Sequence, residues 1–204
     1  MYLPKAFDYP QHARTVMRAH PFATLISHGA DGFPLATGLP LHLQAMDDGH
    51  DVLLGHVALG NPQAKRLREH PQALAVFHGP SAYLSPSTYP DTERVPTWCY
   101  VMVQARVRVV MVDEPEAKDA LLKRIIGDHE PAYAAQWRGL SEAYTSGMLK
   151  RIQAFALHIE SVQCALKLNQ HRPESHAAMA EQWSQGDAQA QALVAWMKTL
   201  EMVA

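Results

Sequence analysis

Two cysteines in 204 residues, Cys99 and Cys164, are too few for a disulfide framework. Both sit in strand-like runs and read as small buried residues in a reducing compartment. Charge is sparse as well. The chain has 18 basic and 20 acidic residues, a net −2 with the histidines neutral, which excludes a general electrostatic grip on nucleic acid. No apolar run approaches a membrane span, and the opening MYLPKAFDYP lacks the apolar core of a signal peptide, so a cytoplasmic protein is expected. There is no Gly-x-Ser-x-Gly, no Walker loop and no Gly-x-Gly-x-x-Gly between a strand and a helix. Hydrolytic chemistry is left without sequence support. Twelve histidines suggest a metal or haem, yet neither His-Glu-x-x-His nor a zinc-type Cys/His cluster is present. His28, His42, His56 and His78 fall in or beside separate strands, which leaves a cluster in space open, but ordinary polar or half-buried imidazoles are the expectation. His56 is the one to watch, because it precedes a candidate anion site.

What is present is ordinary globular material, 48% apolar and 19% charged, long enough for one well-buried core. Asp8 and Gln11 make a capping-box pattern ahead of a helix that Pro21 stops. ATLIS (23–27) reads as a strand, GADG (29–32) as a turn, and FPLATGLPLHLQ as a strand with Leu39, Leu41 and Leu43 on one face. Asp47-Asp48-Gly49 turns the chain into the strand DVLLGHVA. Asn61 and Pro62 open a short helix that Pro71 ends. ALAVF (73–77) is a short strand. Val101, Val103, Ala105, Val107 and Val109 share one face of a long strand, and Gln104, Arg106 and Arg108 share the other. A helix capped by Asp113 and Glu116 follows, then one over roughly 141–151. FALHIESVQCALKL alternates with a change of phase near Glu160–Ser161, the mark of a β-bulge. Two helical pieces broken at Gly186 end the chain, the last carrying Ala192, Leu193, Ala195, Trp196 and Leu200. Two-faced strands and short crossovers predict a mainly β fold, an antiparallel barrel with its helices outside.

Two segments offer chemistry. The helix start Asn61-Pro62-Gln63-Ala64-Lys65-Arg66 suits a phosphate, through unpaired backbone N–H groups and the positive end of the helix dipole. On spacing alone a plain capped surface helix is the commoner outcome. The second segment is SPSTYPDTERVPTW (85–98), a proline-stiffened excursion between two strands, flanked by Tyr83, Tyr89, Trp98 and Tyr100. Its aromatics either wall a flat ligand or pack the loop onto the barrel or a partner subunit.

Taken together, MYLPKAF, AHPFATLISH, TGLPLHL, GHVALGNPQ, HGPSAYLSPSTYP, VPTWCYV and KLNQHRP resemble, in order, the motifs of PaiB-type proteins, from residue 1 to about 180. The resemblance implies an FMN-binding split β-barrel of the pyridoxamine-phosphate-oxidase-like kind. It further implies a homodimer with flavin at the subunit interface and a role as a negative transcriptional regulator. On this pattern residues 1–173 form the barrel domain, and 174–204 a helical extension of it. Thr37, Leu39 and Leu41 would run along the flavin, and Gly55 and His56 would lead to a phosphate seat at Asn61, Gln63 and nearby amides, with Lys65 as its cation. Trp98 and Tyr100 would shape the far wall against the other subunit, and Lys167, Gln170 and Arg172 would close the pocket. Three positions depart from the family's usual residues: Gly38, Cys99 and His171 replace His, Asn and Asn.

Two function classes follow. One is a flavin-binding regulator, for which Arg106/Arg108 and Lys65/Arg66/Arg68 are candidate basic faces toward DNA or a regulatory protein. The other is an FMN-dependent oxidoreductase, or a haem-binding split barrel, acting on a small conjugated substrate.

Overall fold

The computed structural model of the chain describes residues 1–47 and 49–204. Asp48, in the predicted Asp47-Asp48-Gly49 turn, lies outside the described residues. Among the described residues seven strands form one sheet: β1 (Phe22–Ser27), β2 (Leu35–Pro40), β3 (His42–Ala45), β4 (Asp51–Ala58), β5 (Gln72–Leu84), β6 (Thr97–Val112) and β7 (Ile152–Lys167), in the order β2-β1-β5-β6-β7-β4-β3. The pairings β1–β2, β1–β5, β3–β4 and β4–β7 are antiparallel. Helices α1 (Ala13–Ala19), α2 (Pro62–Glu69), α3 (Pro115–Gly127), α4 (Tyr133–Gly139), α5 (Glu142–Leu149), α6 (His176–Ser184) and α7 (Ala188–Thr199) complete the chain. None is long and apolar enough to cross a membrane.

The chain divides into two compact units. One holds residues 1–19, 78–103 and 163–204, and the other 20–77 and 104–162. We call them the terminal unit and the central unit. The long strands β5, β6 and β7 are each shared between them, and the alternation that predicted these strands has its cause here. Along β6, Cys99, Val101 and Val103 are buried in the terminal unit, and Ala105, Val107 and Val109 in the central unit. Along β7 the phase changes as expected: Phe155 and Leu157 are buried, Glu160 and Ser161 are both exposed, and Cys164 and Leu166 resume out of step. The change falls where the strand passes from one unit to the other.

Several local expectations are corrected. The first helix begins only at Ala13, after two 3-10 turns (Lys5–Phe7 and Pro10–His12). Asp8 does not cap it; its carboxylate accepts the Cys164 N–H at 3.2 Å. FPLATGLPLHLQ is two strands parted at Leu41, whose N–H turns aside to the Pro21 carbonyl. β5 reaches well beyond ALAVF, and α4 was unforeseen. On α7 the buried residues are Ala190, Leu193, Val194 and Met197, while Ala195 is exposed. Asp113 does not cap α3, which carries no side-chain cap. Its carboxylate instead takes a two-pronged bond from Arg68, at 2.9 and 2.6 Å, and a third from Gln153 at 3.2 Å.

The core of the central unit includes Leu25, Leu39, Leu41, Leu53, Phe77 and Phe155. On α3, Leu121 and Ile125 pack with Val52 and Leu54 of β4 and Ala154 of β7. Both cysteines are buried, free thiols of the terminal unit. Burial pushes each of them up to about 12, so neither is a ready nucleophile.

Gly55 is required by packing: a Cβ there would stand 2.6 Å from Leu41 Cδ2 and 3.1 Å from Phe155 Cε2. Gly55→Val should therefore lose about 1–3 kcal/mol to overpacking, read as a lower urea midpoint. An unchanged midpoint would mean that Leu41 yields freely. The Arg68 hydrogen bonds hold Asp113 down to about 2, from 3.8. A carboxylate lowered in the folded state contributes stability above its unfolded value, and that stability is lost as pH falls through the folded one. Acid titration of stability should show this loss between about pH 4 and 2, and Asp113→Asn should remove that component.

Candidate functional site

The expected site residues divide between the units. Thr37, Leu39, Leu41, Gly55, His56, Asn61, Gln63 and Lys65 belong to the central unit, and Trp98, Tyr100, Lys167, Gln170 and Arg172 to the terminal unit.

In the central unit Asn61 caps α2 as its sequence predicts. Its Oδ1 accepts the Gln63 N–H at 2.9 Å, and its Nδ2 donates to Thr37 Oγ1 at 3.1 Å, tying the helix start to β2. That closure alters the expected phosphate seat. Pro62 has no N–H, the Asn61 N–H goes to the Ala58 carbonyl, and the Ala64 N–H to the Asn61 carbonyl. The helix start therefore offers few free donors. Gln63 turns inward and is fully buried. Its Nε2 lies 3.0 Å from both the Leu25 carbonyl and Ser27 Oγ, and 3.4 Å from the Leu35 carbonyl. Lys65 is 77% exposed and faces Glu69 at 3.7 Å. Leu39, Leu41 and Gly55 lie in the core, with the two leucine side chains packed over the Gly55 backbone. Gly38 is exposed, with the Phe22 ring 3.1 Å from where a Cβ would stand.

The buried His56 Nδ1 and Gln63 Oε1 of this unit have no protein partner among the described residues. Burial lowers the His56 pKa, keeping the imidazole neutral near pH 7. Beyond the end of β1 lies a cleft of about 550 Å³, lined among others by Ser27, His28, Phe33, Leu74, Arg106 and Glu160. None of the expected site residues lines it. Arg106 has no carboxylate partner among the described residues, whereas Glu160 accepts from Arg108 at 2.8 Å. Alternation had placed Arg106 on the polar face of β6, but nothing local in the sequence brings it beside Ser27 and Phe33.

In the terminal unit the excursion 85–98 is fastened down. Ser85 Oγ caps a 3-10 turn at Pro86–Thr88. The Tyr89 hydroxyl accepts from Asn169 Nδ2 at 2.9 Å. Arg94 lies 5.0 Å over the Tyr89 ring and pairs with Asp91 at 2.7 Å and Glu174 at 3.3 Å. Tyr89 therefore packs the loop, while Trp98 is 57% exposed and meets Tyr83 edge-on at 6.2 Å. Lys167 Nζ donates to Thr97 Oγ1 at 2.8 Å and the Trp98 carbonyl at 2.9 Å, and lies 5.7 Å from the Tyr100 ring. Gln170 folds back on its own backbone: it accepts from the Leu168 N–H at 3.0 Å and donates to the Leu166 carbonyl. Arg172 is exposed, and its guanidinium has no protein acceptor among the described residues.

Residues 1–161 match the family model described as "Putative FMN-binding domain". Protease synthase and sporulation protein PAI 2 of Bacillus subtilis (strain 168) is 33% identical over 178 residues, 86% of this chain and 84% of that protein. The uncharacterized protein YKL070W of Saccharomyces cerevisiae is 27% identical over 125 residues, 50% of this chain and 74% of that one. Among solved structures, the flavocytochrome Anf3 of Azotobacter vinelandii matches with a TM-score of 0.64 at 13% identity, over 82% of this chain and 73% of that chain. The FAD and heme binding protein of Mycobacterium smegmatis matches with a TM-score of 0.61 at 17% identity, over 79% and 72%. At such identities these two speak for the fold alone, and the mainly antiparallel seven-stranded sheet is the expected split-barrel fold.

Asn61→Ala should remove both the α2 cap and the tie to Thr37, at a cost of about 1 kcal/mol for the cap. The loss would appear in thermal unfolding and as faster amide exchange at Gln63, whose N–H the Asn61 side chain accepts. No change in either would mean that water replaces the asparagine.

Proposed function

Because the chain belongs to the FMN-binding-domain family matched over residues 1–161, we propose that it holds FMN in the central unit and acts as a flavin-binding homodimer in transcriptional regulation. The observation that carries the placement is Arg106, an uncompensated cation in a cleft of about 550 Å³, within the size range of cofactor sites. A guanidinium fork suits a phosphate better than the closed start of α2 does. Phe33 would offer an apolar wall, and His28 and Ser27 hydrogen-bonding edges. When bound, FMN supplies the capacity to accept and return electrons. The chain's own part is to bind, orient and shield it.

Regulation is favoured by the likeness to PAI 2, and the net charge of −2 favours an indirect route over direct DNA binding. A dimer is favoured by large apolar side chains left on the surface of each unit: Phe22 and Phe33 in the central unit, Val95 and Trp98 in the terminal unit.

Purified protein should take up FMN with one flavin per chain, seen in its visible spectrum, and should elute as a dimer by light scattering. Arg106→Gln should weaken FMN binding by about tenfold to a hundredfold, the range for one charged hydrogen bond. Weakening by Asn61→Ala alone would instead put the phosphate at the start of α2. No uptake of FMN would refute the reading.

A further inference from the structure

The terminal unit has a cleft of its own, of about 320 Å³, which the FMN reading does not use. The fastened loop forms one wall through Tyr89, Val95 and Thr97. The end of β7 and the segment after it form the other through Lys167, Asn169 and Arg172. Phe7 and His171 meet edge-on at 5.7 Å and also line it.

Its charge is not balanced. Lys167 is held by a hydroxyl, a carbonyl and a tyrosine ring, none of which neutralises an ammonium. Arg172 has no carboxylate partner among the described residues. Arg94, also on the lining, is paired with Asp91 and Glu174, yet its Nε is buried without a partner. The one acid on the lining is Glu93, which is exposed. Two uncompensated cations thus share a small recess with apolar surface from Phe7, Val95 and Cys99. Electrostatic attraction is stronger in such a recess than on an open face.

The recess is also built rather than incidental. Asn169 holds a left-handed φ of 66°, which asparagine tolerates better than most residues. From there its Nδ2 reaches Tyr89 Oη and Ser175 Oγ, both at 2.9 Å. Its carbonyl accepts the Arg172 N–H at 3.0 Å and lies 3.1 Å from His176 Nε2. One buried residue therefore sets the loop wall through its side chain and starts the turn that presents Arg172 through its carbonyl.

We propose that this cleft binds a second ligand besides flavin: a small molecule bearing one carboxylate or phosphate on an apolar body, the oxyanion between Arg172 and Lys167. Arg172, free of other duties, makes the discriminating contact, and Lys167 is a preset charge. Binding is non-covalent, as the Cys99 thiol on the lining is neutral. This assignment requires only that FMN sits outside this cleft.

The test uses benzoate and phenyl phosphate as probes of the two oxyanion sources. Each is titrated by calorimetry into the full chain, without flavin and after saturation with FMN. Saturable binding of at least one probe, one per chain, is expected in both forms, and the tighter probe identifies the source. Arg172→Gln, at an exposed position without partners, should weaken that probe by about tenfold or more. Lys198→Gln, on α7 away from the lining, should leave it unchanged. The proposal is overturned if neither probe saturates up to about 10 mM, weaker than the −4.1 kcal/mol of a millimolar site, or if Arg172→Gln binds as wild type does. It is also overturned if FMN abolishes probe binding, for the cleft is then the cofactor's own phosphate seat. A chain that takes up no FMN is judged on the flavin-free titration alone, so the two readings fail separately.

Discussion

Three strands, β5, β6 and β7, run from one compact unit into the other, and the alternation of side chains along them constrains everything else. A strand has two faces and a period of two, so a residue cannot change face unless the chain slips by one. β6 keeps a single phase through both units, burying a run of small and β-branched residues from Cys99 to Val109. β7 does slip, at Glu160 and Ser161, where two neighbours in a row face solvent. With those faces set, the central unit closes around Leu25, Leu53 and Phe155, and the terminal unit around Leu84, Leu166 and Met179.

Within that frame the polar contacts are few and each has a structural task. Gln63, fully buried, ties α2 to β1 and β2 through its amide, and Asn61 joins the same helix to Thr37. These bonds explain why a helix start that looks ready for a phosphate is already occupied by its own chain. A buried amide needs partners more than a surface helix needs a ligand. In the terminal unit Asn169 does the corresponding work for the loop and the C-terminal turn. Where cations lack carboxylates, at Arg106 and Arg172, the chain leaves charge available for something else. That contrast, more than the count of basic residues, is the ground on which the two clefts are proposed as ligand sites.

Much of this was legible in the sequence. The strands, the Asn61 cap, the break at Gly186 and the phase change in β7 follow from period, turn residues and caps, which are local. The family likeness carried FMN and the split barrel. Less legible were the caps of the first helix and of α3. Asp8 and Asp113 stand at suitable spacings for capping, yet each finds a better partner far along the chain: the Cys164 N–H and the Arg68 guanidinium. A spacing rule cannot see a competitor that the fold brings from elsewhere.

The site shows the same division most sharply. By itself the sequence determined which residues are polar, apolar, aromatic or turn-forming, and hence the strand faces, the helix starts and the family to which the chain belongs. Only the tertiary structure decided that Gln63 points inward, that Leu39, Leu41 and Gly55 are core, that Tyr89 fastens the long loop, and that Arg106 and Arg172 line clefts with no carboxylate paired to either among the described residues. The reason is physical: period and propensity act over a few residues. The partner of a buried amide or a charged group is set by whatever the folded chain places within about 3 Å of it, at any separation in sequence.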